Sequence, residues 1–113
     1  TEPEIASVGL TETQAREKGV QIRVGRYDMK GNGQQIISRE TGGFIKVIFA
    51  ANSDVLLGAQ IMCARATDMI GELATALANG LTSTQLMYAM RAHPTFNEAI
   101  SCAVENSRDN IKE

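Results

Sequence analysis

The stretch Phe44-Ile45-Lys46-Val47-Ile48-Phe49 decides the fold class of this chain. It is rich in β-branched and aromatic residues, which favour a strand, and Asn52-Ser53-Asp54 ends it with turn-forming residues. A second run from Val55 to Met62 follows, in which Gly58 and Gln60 interrupt an apolar series. Because the connection is too short for a crossover between parallel strands, the two runs predict an antiparallel hairpin.

Upstream of this hairpin the sequence predicts two more strands and a short helix. Ile5 to Leu10 alternates enough for a strand, and Thr11-Glu12-Thr13-Gln14 has the spacing of a capping box before a brief helix that Gly19 ends. Val20 to Met29 is a second extended run, in which Gly25 suggests a bulge or a sheet edge.

The segment between these strands and the hairpin is glycine-rich. Gly31-Asn32-Gly33 lacks the spacing and the lysine of a nucleotide-binding loop, so phosphate binding is the weaker interpretation. A turn leading into a short or irregular helix from Gln34 to Arg39 is the expectation.

Downstream of the hairpin the periodicity becomes helical. The longest apolar stripe consists of Ile70, Leu73, Ala74, Leu77 and Leu81. Thr67 or Asp68 can cap this helix and Asn79-Gly80 ends it. Thr82 to Gln85 is another capping box, and a last helix is expected from about Phe96 toward Arg108 with a polar tail after it. Strands followed by consecutive helices predict one α+β domain, an antiparallel sheet backed by helices.

Composition places the chain among globular domains. Its 113 residues are 43% hydrophobic and 21% charged, which fits one domain able to bury a core. No stretch is apolar for long enough to span a bilayer, so we expect no membrane segment. The net charge is -2 and basic residues are scattered among acidic ones, which argues against a nucleic-acid partner.

The cysteines indicate neither a zinc site nor a redox pair, because Cys63 and Cys102 lie far apart and form no Cys-x-x-Cys motif. We expect two buried thiols in a reducing compartment, with a disulfide between them as the alternative. No signal peptide precedes the cysteines, so we expect a cytoplasmic protein. The chain opens Thr1-Glu2-Pro3 without an initiator methionine, which suggests processing or excision from something longer.

The only histidine lies in Arg91-Ala92-His93-Pro94-Thr95-Phe96-Asn97-Glu98. Pro94 disfavours a helical conformation at His93, and a helix can begin immediately afterwards because Thr95 and Glu98 have capping-box spacing. Glu98 then has two interpretations. Either its carboxylate caps the Thr95 amide and His93 is an ordinary polar loop residue, or the carboxylate holds the imidazole in one tautomer and leaves the other nitrogen free to exchange protons with a substrate.

Several motifs in their order along the chain suggest a family. They are Pro3-Glu4-Ile5-Ala6-Ser7-Val8-Gly9-Leu10-Thr11-Glu12, Leu57-Gly58-Ala59, Asp68-Met69-Ile70, and His93-Pro94-Thr95 with Glu98. Together they resemble the carboxy-terminal dimerisation domain of the flavoprotein pyridine nucleotide-disulfide oxidoreductases. The run from Arg91 to Thr95 is most similar to dihydrolipoamide dehydrogenase, with glutathione and mercuric reductases as more distant relatives.

The resemblance implies that residues 1–113 are one interface domain of a longer enzyme, which forms a homodimer and projects His93 into the partner subunit's active site. There His93 would be the acid/base for thiol–disulfide exchange, held by Glu98. A cis His93-Pro94 bond is also implied, with the backbone of His93 and Pro94 close to the partner's flavin. FAD, NAD and a reactive cysteine pair would belong to the missing domains, and a 2-oxo acid dehydrogenase complex is a further implied partner.

This chain departs from the family pattern in two places: Asn97 stands where relatives often have Ser, and Cys63 stands where many have Gly. The family's FAD-binding glycine motif, NAD domain and Cys-x4-Cys pair are absent, so the segment alone should be inactive. A stand-alone α+β binding or regulatory module with a structural His93 is the alternative. A small hydrolase using His93 with Ser101 or Cys102 is disfavoured, because both follow along a helix without an oxyanion loop nearby.

Overall fold

The structure, a computed structural model, describes residues 4–28, 43–63, 66–92, 98–108 and 111–112, and these form five strands and four helices. The elements are β1 (Glu4–Gly9), α1 (Glu12–Glu17), β2 (Ile22–Asp28), β3 (Phe44–Ala50), β4 (Leu56–Cys63), α2 (Ala66–Ala78), α3 (Ser83–Ala92), α4 (Glu98–Ser107) and β5 (Ile111–Lys112). No helix in the described ranges is long and apolar enough to cross a bilayer.

The hairpin of β3 and β4 lies in the middle of the sheet. The two strands pair antiparallel without a break from Phe44 to Ile48, after which the register shifts and Leu57 is skipped. Val47 and Ile48 are fully buried, as expected for a strand with neighbours on both edges and cover on both faces. The predicted antiparallel hairpin is therefore confirmed.

The complete sheet has the order β1-β4-β3-β2-β5, and every neighbouring pair is antiparallel. The sequence prediction of a polar tail is wrong at the fifth strand, because Ile111 pairs with Arg23 and Lys112 with Ile22. A strand of two residues is too short to show a periodicity in the sequence. Ile111 and Lys112 form a strand because the free edge of β2 supplies their backbone partners. The α+β class, with the sheet backed by helices, is confirmed.

The two faces of the sheet are covered differently. One face packs under α2, α3 and α4 in the larger core, to which the helices contribute Leu73, Ala76, Leu86, Met87, Ile100, Ala103 and Val104. The other face carries a smaller cluster, in which Ala15 of α1 meets Ile22, Val24 and Ile48. The three helices after the hairpin thus form one layer, and α1 lies on the opposite side of the sheet.

Both described capping boxes form as predicted. Thr11 Oγ1 accepts from the Gln14 amide at 3.0 Å, and Gln14 Oε1 accepts from the Thr11 amide at 2.9 Å. At α3, Thr82 Oγ1 accepts from the Gln85 amide at 3.1 Å and Gln85 Oε1 accepts from the Thr82 amide at 2.9 Å. This motif is readable from sequence because all its partners lie within three residues.

The start of α2 differs from the prediction. The helix begins at Ala66, so Thr67 and Asp68 lie inside its first turn rather than capping it. The acceptor comes from β1, where Glu4 Oε1 accepts from the Thr67 amide at 3.1 Å and from Thr67 Oγ1 at 2.9 Å. A carboxylate is favourable at the positive end of a helix dipole. Since Glu4 is 63 residues away, no local pattern indicates this contact.

The end of α2 and the glycine-rich segment were two further predictions from the sequence. The helix α2 stops before Asn79-Gly80, as predicted, and Gly80 takes the left-handed conformation of a helix end, with φ of 64°. The predicted helix from Gln34 to Arg39 and the Gly31-Asn32-Gly33 turn lie outside the described residues.

Gly25 is not in a bulge, but the alternative of a sheet edge agrees with the structure, because in the described residues β5 pairs with Ile22 and Arg23 only and leaves Gly25 with one strand neighbour. Its register with Val47 is regular, and the backbone of α4 crosses directly over it. A Cβ atom on Gly25 would lie 1.9 Å from the Ala103 carbonyl oxygen and 2.7 Å from Ser107. The glycine is required by the close approach of a helix to a strand.

Replacing Gly25 with Ala should therefore destabilise the protein by about 1 to 3 kcal/mol, because α4 must move away from β2 to admit a methyl group. Gly71→Ala is the matched control. Gly71 lies in α2 with open space around its Cβ position, so alanine there should stabilise by about 0.5 to 1 kcal/mol through helix propensity. Urea unfolding of both variants measures these changes; equal stabilities for the two would contradict the close packing of α4 on β2.

Candidate functional site

The sequence stretch with the only histidine connects two helices of the same layer. The helix α3 ends at Ala92 and α4 begins at Glu98. The predictions for His93 to Asn97 lie outside the described residues: the His93 pairing with Glu98, the Thr95 capping box and the form of the His93-Pro94 bond. What the structure does define is the two helix ends that residues 93–97 connect along the chain.

The helix α3 is fixed at its N-terminus by the turn of the hairpin. Asp54 in that turn has a φ of 67°, and its backbone oxygen accepts from the Ser83 amide at 3.0 Å. One carboxylate oxygen of Asp54 accepts from Ser83 Oγ at 2.6 Å, and the other accepts from the Thr84 amide at 3.3 Å. Arg23 of β2 forms an ion pair with the same carboxylate. These contacts join the sheet to the start of α3.

The helix α4 is fixed by its buried side. Ile100, Ala103 and Val104 are fully buried, and the backbone at Ala103 lies against Gly25. A further contact ties the helix to β2, because Asn106 Oδ1 accepts from the Arg26 amide at 3.0 Å. The buried face and this contact leave α4 little freedom to rotate about its own axis.

Glu98 is the first residue of α4 and is exposed to solvent. A carboxylate in the first turn of a helix is stabilised by the helix dipole, whatever else it binds. Its charge also reaches one turn further along, where it contributes to raising the pKa of Cys102. The position suits either interpretation from the sequence, since Glu98 is close to the connection with His93 and remains accessible.

The two cysteines have different surroundings, and both are free thiols. Cys63 is buried as predicted, and its Sγ donates to Met69 Sδ at 3.5 Å. Cys102 is only partly buried, which corrects the prediction that both are buried. Burial, followed by the charges of Glu98 and Glu105, raises the pKa of the Cys102 thiol. A thiol held in its protonated form is a poor nucleophile, so Cys102 does not resemble a reactive redox cysteine.

No group of three or more His, Cys, Asp or Glu side chains that could hold a metal ion is present in the described part of the chain. A shallow cavity of about 370 Å³ lies beside α1, lined by Arg16, Gly19, Val20 and Gln21. Arg16 there is already paired with Glu12 at 2.8 Å. This lining does not offer the set of hydrogen-bond donors and the apolar walls that a dinucleotide requires.

Arg23 and Asp54 were not identified from the sequence as site residues. The Asn52-Ser53-Asp54 run predicts only a turn, because Ser83 and Thr84, which bind Asp54, lie 29 and 30 residues away. Nothing local points to Arg23, which is 31 residues from Asp54. Burial and the charge of Arg108 lower the pKa of the Arg23 guanidinium, so Asp54 offsets an unfavourable environment for that charge.

Comparison with known proteins identifies the family. Residues 1–104 match the family described as pyridine nucleotide-disulphide oxidoreductase, dimerisation domain. The chain belongs to this family. Among curated proteins, the dimerisation domain is 41% identical over 105 residues to dihydrolipoyl dehydrogenase of Bacillus subtilis, which covers 93% of this chain and 22% of that protein. Dihydrolipoyl dehydrogenase of Staphylococcus aureus is 36% identical over 107 residues, covering 95% of this chain and 23% of the relative.

Two solved structures contain a region that is similar to this chain. LpdA from Mycobacterium tuberculosis superposes with a TM-score of 0.76 at 25% identity, covering 91% of this chain and 22% of that one. The HOCl-induced flavoprotein disulfide reductase RclA from Escherichia coli gives a TM-score of 0.75 at 25% identity, covering 91% and 25%. The chain spans about a fifth of the length of the curated relatives it matches.

The raised pKa of Cys102 in the dimerisation domain predicts slow alkylation. At a given pH fewer thiols are ionised than for an ordinary cysteine, so the rate should rise with pH around a midpoint above the usual thiol value. Glu105→Gln removes one of the charges and should speed alkylation by about two- to threefold. Glu17→Gln on α1 is the control. Iodoacetamide labelling followed by peptide mass spectrometry measures the rates; a Glu105→Gln rate equal to the control rate would contradict the assignment.

Proposed function

We propose that this dimerisation domain is part of a dihydrolipoyl dehydrogenase-type disulfide reductase, and that it supplies His93 and Glu98 as an acid/base pair to the partner subunit's active site. The proposal is supported by the position of the only histidine in the sequence. It falls in the connection between two helices whose positions the core fixes, with the exposed carboxylate of Glu98 at the entrance of the second.

The proposed chemistry is a proton transfer coupled to thiol–disulfide exchange. A dithiol substrate attacks a disulfide only as its thiolate, so a base must first take the thiol proton. The neutral imidazole of His93 accepts that proton, and the substrate sulfur then displaces one sulfur of the enzyme's disulfide. When the second substrate thiol closes the new disulfide, two electrons have passed to the enzyme's cysteines. The carboxylate of Glu98 stabilises the imidazolium formed in the first step.

FAD, NAD and the reactive cysteine pair are assigned to the rest of the longer protein. The cavity beside α1 does not have the lining that a dinucleotide requires, and burial with nearby carboxylates raises the pKa of Cys102. When bound, FAD would pass reducing equivalents between the cysteine pair and the nicotinamide. The proposed contribution of this chain near the flavin is limited to the backbone of His93 and Pro94.

The proposed partner is a second copy of the same chain, packed against the helices that follow Ala66. Tyr88 on α3 supports this, because it is 76% exposed although it is large and partly apolar. Tyrosine is frequent in subunit interfaces, where an apolar ring and a polar tip are both useful. The FAD and NAD domains of the same polypeptide would complete each site, and a 2-oxo acid dehydrogenase complex is the proposed larger assembly.

Replacing His93 with Ala in the complete enzyme should slow dithiol–disulfide exchange by about 10²- to 10⁴-fold, because the thiol loses its positioned base. Reduction of the bound flavin by NADH should be unchanged. Glu98→Gln should cost less, since an amide can still hydrogen-bond the ring but carries no charge. Rapid-mixing spectroscopy of the separate half-reactions measures each effect.

Glu105→Gln provides the control for Glu98→Gln, because it neutralises another exposed glutamate of α4 two turns further on. It should leave both half-reactions unaltered. Near-normal turnover of the dithiol by the His93→Ala enzyme would refute the acid/base role and leave Glu98 as a helix cap.

Hybrid dimers test whether His93 serves the other subunit. One subunit would carry His93→Ala, and the other would have one of its redox cysteines replaced by serine. If each site takes its histidine from the partner, one of the two sites in the hybrid has both an intact disulfide and an intact His93. Activity should then recover to about half of that of the unaltered dimer, because one of its two sites is complete. If hybrids stay as inactive as the parent variants, His93 acts within its own subunit.

A further inference from the structure

Outside the predicted catalytic stretch, the carboxylate of Asp54 joins polar groups of several elements. It lies at the junction of three elements: the β3–β4 turn that contains it, the strand β2 through Arg23, and the start of α3 through Ser83 and Thr84. The side chains of Arg23 and Asp54 are only 15% and 24% exposed, and Ser83 is buried. The cluster is therefore largely shielded from water, where such contacts are stronger than on the surface.

Backbone contacts make this junction stiff as well as polar. Asp54 donates its amide to the Ala50 oxygen at 2.8 Å and accepts the Ser83 amide at 3.0 Å. Directly beside it, the Leu56 amide donates to the Leu81 oxygen at 2.9 Å, and Val55 forms a β-bridge with Thr82. The N-terminus of α3 is thus attached to the central hairpin on both sides of Asp54, and it cannot shift without moving the turn.

The helix α3 carries any displacement at this junction to the site of His93. It has 10 residues, a length of about 15 Å at the usual rise per residue, and its last residue adjoins His93. Leu86 and Met87 are buried in the core near the middle of the helix. A helix held at its centre and released at one end can tilt, so a small movement at Ser83 becomes a movement of similar size at Ala92.

We infer that Arg23, Asp54 and Ser83 form a positioning cluster, which sets the placement of His93 through α3 without touching the substrate. The inference rests on the proposed function, because it assigns these residues a purpose only if His93 exchanges protons with the substrate. Their role follows from the sensitivity of proton transfer to geometry, since a misplacement of about 1 Å can cost about 100-fold in rate.

The electrostatics explain why the cluster needs all three groups. Arg23 lies in an environment that disfavours its charge, through burial and through Arg108. Without Asp54 this guanidinium would be left without its partner and would draw other acceptors toward itself. Ser83 links the pair to the helix by donating to Asp54, and Arg23 also donates to Ser83 Oγ at 3.4 Å. Each member therefore holds the other two in place.

The test uses the complete flavoenzyme with Ser83→Ala, Asp54→Asn, Arg23→Gln and Arg23→Lys, all assayed well below their thermal transitions. Ser83→Ala and Asp54→Asn should slow the dithiol half-reaction by about 10- to 100-fold. KM for the dithiol and the rate of flavin reduction by NADH should stay as they were.

Arg23→Lys should regain part of the rate lost in Arg23→Gln, because it keeps the charge. Glu12→Gln is the control, since it breaks ion pairs with Arg16 and Lys46 on the other side of the sheet and should leave both half-reactions unchanged.

A merely structural role predicts a different result: lower thermal transitions, with both half-reactions either unchanged or reduced together. That result, for variants that fold and retain FAD, would overturn the inference. Should Asp54→Asn fail to fold, Ser83→Ala and the two Arg23 variants decide the question in the same way.

Double variants with His93→Ala separate this inference from the proposed function. If the cluster acts through His93, Ser83→Ala should cause no further loss in an enzyme that already lacks the imidazole. Losses that multiply would overturn the inference while leaving the role of His93 intact. A His93→Ala enzyme with normal dithiol turnover would defeat the proposed function, and this inference with it, whatever the Ser83→Ala enzyme does.

Discussion

The contact between the backbone of α4 and the backbone of β2 at Gly25 is the constraint on which the rest of the structure depends. With 1.9 Å between a Cβ position at Gly25 and the Ala103 carbonyl, there is no room for a side chain between helix and strand. This approach lets Ile100 and Val104 reach fully buried positions in the core formed with β3 and β4. Because a packed core has few voids, the helix has one available depth on the sheet.

The helix α3 reaches its position by a different kind of contact. Leu86 and Met87 place its middle in the core, and polar groups at its N-terminus supply a further restraint. The carboxylate of Asp54 accepts hydrogen bonds there and also neutralises Arg23. One helix is thus held by close packing and the other by a charged junction, and the short stretch with His93 is tied to both. The proposed role of His93 would match a common arrangement in enzymes, in which a rigid scaffold presents a functional residue on a connection.

The two faces of the sheet carry different parts of the described structure. The helical layer carries the stretch proposed to enter a partner's active site and the exposed ring of Tyr88. The opposite face is closed in part by α1, which is held by its own capping box and by the pairing of Glu12 with Lys46 at 2.7 Å. Family membership as a dimerisation domain fits a molecule whose large core supports one functional layer.

Local patterns in the sequence determined the elements of this protein. The β-branched run from Phe44 to Phe49, the short turn after it, and the capping boxes at Thr11 and Thr82 all act within a few residues, so their geometry follows from neighbouring side chains and backbone groups. The four motifs between Pro3 and Glu98, taken together, indicated the family. Only the tertiary structure decided the fifth strand, the Glu4 cap of α2, the reason for Gly25 and the junction at Asp54. Each of these joins residues that are tens of positions apart, and such contacts form only after the sheet has brought the segments together, which no local periodicity can encode.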